Sequence, residues 1–338
     1  MVDAGIAGQT AMSDLTQQLP CPPKKHQRGA ALIIVLGLVA LISTWAIDAM
    51  YEDSIALRRT ENSDNALRAE QANQSALILS AKILREDLQE SQTDDLDEAW
   101  AQQSEAFPID DGLVQGDIID SNRMINLNDL VNNKGMVNQL VETYLKSLFT
   151  QLELDAGLVD ALIDWMDTDS SVHGSNGAED ASYYDQDYHV KNARLDRWHE
   201  LLLIRGFKPE ILAQLEPYTS VREVPVSGIS SININTASAP VLMALAPNIT
   251  VSDVEIFISE RPFASVAAAL QNRTWATGLK QPYLSVISDH FMVRTQASFG
   301  RANLRETFML RRQPGIVTLL TFERDRSAAA LPATSTTP

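Results

Sequence analysis

The feature that most constrains this chain is the stretch from Gly29 to Ile47, which carries no charged residue. As a helix rising about 1.5 Å per residue it spans roughly 28 Å, the thickness of a bilayer's hydrocarbon core. Lys24, Lys25 and Arg28 lie before it and Asp48 ends it. A buried helix of a soluble protein is the alternative, and the length and uninterrupted apolar face of this run stand against it. A cleaved secretory signal would have a shorter apolar core, followed by a pair of small residues. Here Thr44-Trp45-Ala46 is a poor cleavage site, and Trp45 is bulky. The helical signal also continues: Leu38 to Phe107 contains neither Gly nor Pro. Ile55, Ala66, Leu67, Ala76, Leu77, Ile83, Leu84 and Leu88 recur near helical spacing. The pattern predicts one helix of about sixty residues, roughly 90 Å long. Its first third lies in lipid and one stripe of the remainder packs on a domain. The basic cluster places the N-terminal side in the cytoplasm, although Arg58 and Arg59 beyond the span weaken that asymmetry.

At 338 residues the chain accommodates two globular units and a tail. A formal charge of −17 argues against a nucleic-acid or anionic-membrane partner, since both require a positive footprint. Cys21 is the only cysteine, so no intrachain disulfide or cysteine-based metal site can form.

Beyond Leu88 the sequence turns polar and acidic through Glu105 and reads as a loop. Strand-like segments surround Val114 and Ile118, with a turn at Asp120-Ser121-Asn122. Helical patterns cover 137–152, 157–166, 194–204, 209–215, 240–245, 251–258 and 265–270. Strand patterns return in "HFMVRTQASFG", "NLRETFMLRR" and "GIVTLLTFERD", with turns at Phe299-Gly300-Arg301 and Gln313-Pro314-Gly315. The tail from Ser327 is rich in Ala, Ser, Thr and Pro and reads as disordered. Strands that stop for about 150 residues and resume predict an α+β protein: a small antiparallel sheet on the long helix, interrupted by a large inserted helical domain.

A basic leader ending in Gly29, followed by an apolar helix that becomes amphipathic, resembles the type IV pilin-like proteins. Three further segments, "SNRMINLNDL", "LIDWMDTDSSVHGSNGAEDASYYDQDYHVKNARLDRWHELLLIRG" and "ININTASAPVLMAL", resemble in order the signatures of the K-type minor pseudopilins of type II secretion. The resemblance runs from about Lys24 to Arg312. It implies a prepilin leader at 1–29, cut by prepilin peptidase between Gly29 and Ala30, with methylation of the new N-terminus. It further implies a transmembrane and amphipathic helix plus loop at 30–105 and a pilin-like sheet split between 106–130 and 286–326. The inserted α-domain would occupy 131–285 and the tail 327–338. The fifth residue after the cut is Ile34, where most pilins carry a Glu that is thought to pair with the amine of the subunit above. A subunit with nothing above it needs no such carboxylate, so Ile34 suggests a filament tip. The implied role is non-catalytic: capping and initiating the pseudopilus that exports folded proteins from the periplasm. The implied setting is a single-pass inner-membrane protein with a periplasmic C-terminal domain, whose partners are the I- and J-type pseudopilins.

Asp164, Asp167, Asp169, Glu179, Asp180, Asp185 and Asp187 crowd one loop that Gly174 and Gly177 bend. Hard oxygen donors on a flexible loop suit Ca²⁺, but the EF-hand spacing fails, and by spacing alone a solvated acidic loop fits equally well. The resemblance favours calcium, with Asp167, Asp169, Glu179, Asp180 and Asp185 as ligands. His173 and His189 read as surface residues, and Trp165, Tyr183, Tyr184 and Trp198 as core aromatics. His199-Glu200 lacks the second His of a zincin, and no nucleophile elbow, P-loop or dinucleotide fingerprint occurs. Residues 232–270 also resemble a helix-hairpin-helix unit. That leaves a second reading: a DNA-binding membrane protein of a pilus-like uptake system. Against it stand the turn Ala246-Pro247-Asn248-Ile249-Thr250, which lacks glycine and loses one N–H to proline, and the acidic charge of the chain.

Overall fold

The computed structural model describes residues 28–246, 248–277, 279–280 and 283–325. The leader before Arg28, with Cys21, Lys24 and Lys25, lies outside these residues. So do Pro247 of the hairpin turn and the tail expected from Ser327.

Helix α1 runs from Arg28 to Glu90 without a break, as the absence of Gly and Pro after Leu38 predicts. The chain divides at Thr60 into two compact units. Through the apolar run of the first unit the side chains are exposed, and this is the one described helix long and apolar enough to cross a membrane. From Glu61 onward α1 belongs to the second unit.

That unit contains a five-stranded antiparallel sheet. Strands β1 (Phe107–Ile109) and β2 (Gly112–Asp120) precede the helical insertion. After it come β7 (His290–Phe299), β8 (Ala302–Gln313) and β9 (Ile316–Asp325), in the order β1-β2-β7-β8-β9. Tight turns join the last three strands, with Gly300 and Gly315 at the positive φ angles (53° and 79°) such turns need. The two strand-like segments near Val114 and Ile118 form the single strand β2, and β1 has no counterpart in the sequence pattern.

The face of α1 that packs on the sheet differs in part from the apolar stripe. Leu67 is exposed, whereas Ala69, Ala72 and Asn73 are buried. Small residues win here because Val114, Ala297, Phe299 and Leu304 close on the helix, and the Asn73 Nδ2 donates to the Leu304 carbonyl at 3.1 Å. Further along, Leu77 and Leu84 pack with Phe291, Val293, Phe308 and Leu310. Trp100, in a short 3-10 turn, meets Phe291 edge to face at 5.3 Å.

Between β2 and β7 lie β3 (Ile125–Asn126), α2 (Gln139–Gln151), α3 (Leu158–Met166), α4 (Pro209–Leu215), β4 (Thr219–Ser220), β5 (Ile232–Asn233), α5 (Ala239–Leu245), α6 (Val251–Ser259), α7 (Val266–Leu270) and β6 (Leu284–Ser285). Ile125, Leu127 and Leu130, which the resemblance assigns to the sheet, are buried in the core of this helical part. Residues 194–204 have helical periodicity but form only a 3-10 turn at Trp198–Leu203. Asn128 holds the Leu195 backbone, N–H to Oδ1 at 2.8 Å and Nδ2 to carbonyl at 3.0 Å, and so keeps that segment extended.

The sheet meets the helical part across a buried polar seam. The Arg312 guanidinium contacts Asp94 at 2.5 Å and Asp87 at 2.6 Å, donates to the Ser288 carbonyl at 2.9 Å, and lies over the Phe291 ring. Beside it, the Asp120 carboxylate at the end of β2 accepts from the Asn122 N–H, Asn233, Thr236 and Ser288. Breaking a buried pair costs more than the pair contributes, because the surviving charge loses its partner in low dielectric. Arg312→Leu is therefore expected to lower unfolding free energy by about 3–5 kcal/mol. Adding Asp94→Leu should recover part of the loss, as urea unfolding of the two variants would read. A loss below about 1 kcal/mol in the single variant would contradict this role.

A candidate metal centre in the first helical hairpin

Helix α3 places Asp160 and Asp164 four residues apart, on one face, and the chain leaves the helix at Asp167. Asp164 is fully buried, and its Oδ1 accepts from the His173 N–H at 2.9 Å. The loop passes this close because Gly174 and Gly177 lack side chains: a Cβ there would collide with the Asp160 and Asp164 carboxylates respectively. Gly174 also needs its positive φ of 59°. Asp167 follows the last helical residue, and Glu179 precedes the 3-10 turn Asp180–Tyr183.

Carboxylate oxygens of Asp167, Asp169 and Glu179 converge within 4.8 Å of one another, twice the usual Ca²⁺–oxygen distance. Asp167 and Glu179 are buried, and Asp167 Oδ1, Glu179 Oε1 and the neighbouring Asp164 Oδ2 have no hydrogen-bond partner. Buried anionic oxygens without a partner are costly unless a cation joins them. Burial pushes Asp167 up to about 6, with Asp169 and Asp164 adding repulsion. Burial likewise pushes Glu179 up to about 7, helped by the charges of Asp164, Asp167 and Asp169. These donors fit a hard divalent cation, with Asp169 supplying an exposed edge ligand.

Two expected ligands do not join them. Asp180 Oδ1 accepts from the Val190 N–H at 3.0 Å and lies 3.6 Å from His189 Nδ1, while Asp185 is exposed and in no carboxylate group. The 3-10 turn explains this: it buries Tyr183 edge-on against Trp165 at 5.7 Å, and Asp185 emerges on the solvent side. Tyr184, expected in the core, is 90% exposed for the same reason. Trp165 and Tyr183 are buried as expected.

A second cluster was not evident from spacing. Glu142 on α2 meets Asp160 and His173. Lys146 Nζ sits between the two carboxylates at 2.7 and 2.8 Å, and His173 Nε2 lies 3.0 Å from Glu142. Burial pushes the Glu142 carboxyl up, but Lys146 and His173 outweigh it and hold it below the usual range. The lysine supplies the positive charge here, so this group clamps α2, α3 and the acidic loop together.

A sequence signal for this arrangement is an internal repeat. Ile125-Asn126-Leu127-Asn128 recurs as Ile232-Asn233-Ile234-Asn235, and Tyr218-Thr219-Ser220-Val221 as Tyr283-Leu284-Ser285-Val286. In each copy the Ile-Asn strand pairs in parallel with the Thr-Ser or Leu-Ser strand. The first Asn side chain caps the second Asn's N–H, and the second Asn grips a distant backbone, Leu195 in one copy and Phe263 in the other. Two helices follow each motif. From α6 to Phe263 the second copy needs only residues 260–262, whereas from α3 to Leu195 the first spends residues 167–194. The acidic loop is thus an insertion into one of two like hairpin units.

A helix able to cross a membrane that continues as the spine of an antiparallel sheet is the build of a pilin-class subunit, here enlarged by a double helical unit. The family described as "Type II secretion system (T2SS), protein K" matches residues 123–224 and 232–287, which are the two repeat copies. A type II secretion system protein K from Pectobacterium carotovorum subsp. carotovorum is 30% identical over 311 residues, 85% of this chain and 93% of its own length. That of Pseudomonas aeruginosa is 29% identical over 337 residues, 93% of this chain and 97% of its own. A chain in the crystal structure of the GspK-GspI-GspJ complex from enterotoxigenic Escherichia coli superposes with a TM-score of 0.68 at 22% identity. The match covers 80% of this chain and all of that one. The chain belongs to the type II secretion system protein K family, the K-type minor pseudopilins. The DNA-uptake reading finds no support among these relatives. In the hairpin itself, the Thr250 hydroxyl and the Asp253 carboxylate satisfy each other's N–H groups at the start of α6, where a phosphate would need free donors.

The raised Asp167 and Glu179 fix the sign of a pH effect. Protons bound more tightly in the folded state give stability that is complete below the unfolded values, 3.8 and 4.5, and lost as pH rises towards about 6 and 7. The metal-free protein should therefore melt at progressively lower temperature between pH 4 and 7. Asp167→Asn with Glu179→Gln should flatten that slope in EGTA.

Proposed function

We propose that this chain is the tip subunit of a type II secretion pseudopilus, where it initiates or caps assembly for export of folded proteins from the periplasm. The observation that carries the reading is Ile34 in a chain of the protein K family: the fifth residue after Gly29 is aliphatic, so no subunit above is needed to neutralise a carboxylate in lipid. In support of processing, Gly29 stands at the start of α1 with open space around it, where prepilin peptidase would cut before Ala30 and methylate the new N-terminus. The apolar run supports a single-pass inner-membrane anchor with the second unit in the periplasm. A similar fold crystallised as part of a GspK-GspI-GspJ complex, which supports minor pseudopilins of the I and J types as partners. The role is structural rather than catalytic.

The same reading includes a structural Ca²⁺ held by Asp167, Asp169 and Glu179, with Asp164 close by and carbonyl oxygens or water completing the shell. The ion would supply positive charge that fixes the inserted loop. Calcium at about 100 times its Kd should add about 2.7 kcal/mol, or roughly 5–10 °C in Tm, for the wild type. Asp167→Ala with Glu179→Ala should abolish the shift, and an EGTA-insensitive melt would rule the ion out.

Mass spectrometry of the mature N-terminus tests the processing step. Methylated Ala30 is expected, Gly29→Val should block cleavage, and an intact leader in the wild type would refute it. Ile34→Glu should leave pseudopilus assembly unchanged or impair it, and increased assembly would contradict the tip position. Co-purification of the membrane-anchored chain with I- and J-type pseudopilins tests the partnership.

A further inference from the structure

We propose that Asp87, Asp94 and Glu98, gathered around the single guanidinium of Arg312, form a proton-operated latch that fastens the end of α1 to the sheet more firmly in acid. Carboxylate oxygens of the three lie within 4.8 Å of one another. Arg312 reaches two of them, Asp94 at 2.5 Å and Asp87 at 2.6 Å. Glu98 is held beside them by donors of its own: its Oε2 accepts from the Trp100 indole N–H at 2.7 Å and from the Asp95 N–H at 3.1 Å. Asp94 is buried, and Asp87 and Glu98 are half-buried. Three carboxylates thus share one cation, and with all of them ionised the cluster carries an excess of negative charge.

The elements packed around it do not balance that excess. Asp87 lies in the last turn of α1, which has no basic residue, so the negative end of the helix dipole adds to it. The loop after α1 brings another acid, Asp95, beside Glu98. From the end of β2, Asp120 lies across Ser288, whose N–H donates to Asp94 at 2.6 Å and whose hydroxyl donates to Asp120 at 2.7 Å. Asn233 of β5 and the Phe291 ring of β7 carry no charge. Among the described residues Arg312 of β8 is the one cation paired with these carboxylates. Like charges this close are relieved by a shared proton. Burial pushes Asp87 up to about 6, Glu98 and Asp94 add repulsion, and Arg312 offsets only part of it. The folded latch therefore keeps a proton that a released helix end, with Asp87 at its ordinary 3.8, gives up. The stability this proton contributes is complete below 3.8 and is lost as pH rises through about 6.

The test is hydrogen exchange read by mass spectrometry on the full chain in detergent and EGTA, at pH 5.5 and 7.5, with rates corrected for the intrinsic effect of pH. Protection of residues 84–101 should fall about four-fold from the lower to the higher pH in the wild type. Asp87→Asn should give equal protection at both, and Glu98→Gln should shrink the change. Asp167→Asn with Glu179→Gln should leave the change intact, because that cluster is separate. Protection that is independent of pH, that rises with pH, or that keeps its full pH dependence in both Asp87→Asn and Glu98→Gln overturns the proposal. So does a change that vanishes in Asp167→Asn with Glu179→Gln, which would make it a property of the acidic loop. Calcium that restores protection of residues 84–101 at pH 7.5 in Asp167→Ala with Glu179→Ala would assign the three carboxylates to a metal and overturn it as well.

Discussion

Arg312 is the charge on which the second unit is built. It comes from the penultimate residue of β8, yet its contacts lie on the end of α1, in the loop after it, and beside β7. An arginine this buried is tolerable only because two carboxylates, a carbonyl and an aromatic face surround it. Asp120 completes the seam from the other side, collecting donors from β5 and the residues around it. Without these polar ties the helical part and the sheet would share few apolar contacts, since their core clusters are separate.

Most of the fold was legible in the sequence because it rests on local rules. Absence of Gly and Pro gave α1, alternation gave β7 to β9, and glycine placed the two hairpin turns. What was not legible depended on distant partners. The extended segment around Leu195 is imposed by Asn128, and the contact face of α1 is set by how closely the strands approach Ala69 and Ala72 rather than by the largest side chains. The candidate metal centre was legible in composition but not in membership. Asp167, Asp169 and Glu179 converge, while Asp180 spends its oxygen on Val190 and Asp185 turns outward. Glu142 could not be associated with the loop without knowing that α2 packs beside α3.

The repeat changes how the acidic loop is understood. Both copies close their hairpin with the same asparagine grip, so the frame does not need the insertion to form. The carboxylates belong to an addition that its host tolerates because it leaves and re-enters at neighbouring points of a surface connection. The Lys146 clamp then ties that addition back to α2 and α3.

The seating of α1 on the sheet also has a mechanical side. Between Ala69 and Asp87 the helix is fixed by interlocked small side chains, by Asn73 on the Leu304 carbonyl, and by ion pairs from Glu70 to Arg324 and from Asp87 to Arg312. These attachments follow one another along the helix axis. A pull along that axis loads them together, in shear, so none can be peeled off before its neighbours. Slippage by one turn would require the carboxylate pairs and the alanine contacts to fail at once. That stretch of helix and sheet therefore behaves under tension as a lap joint.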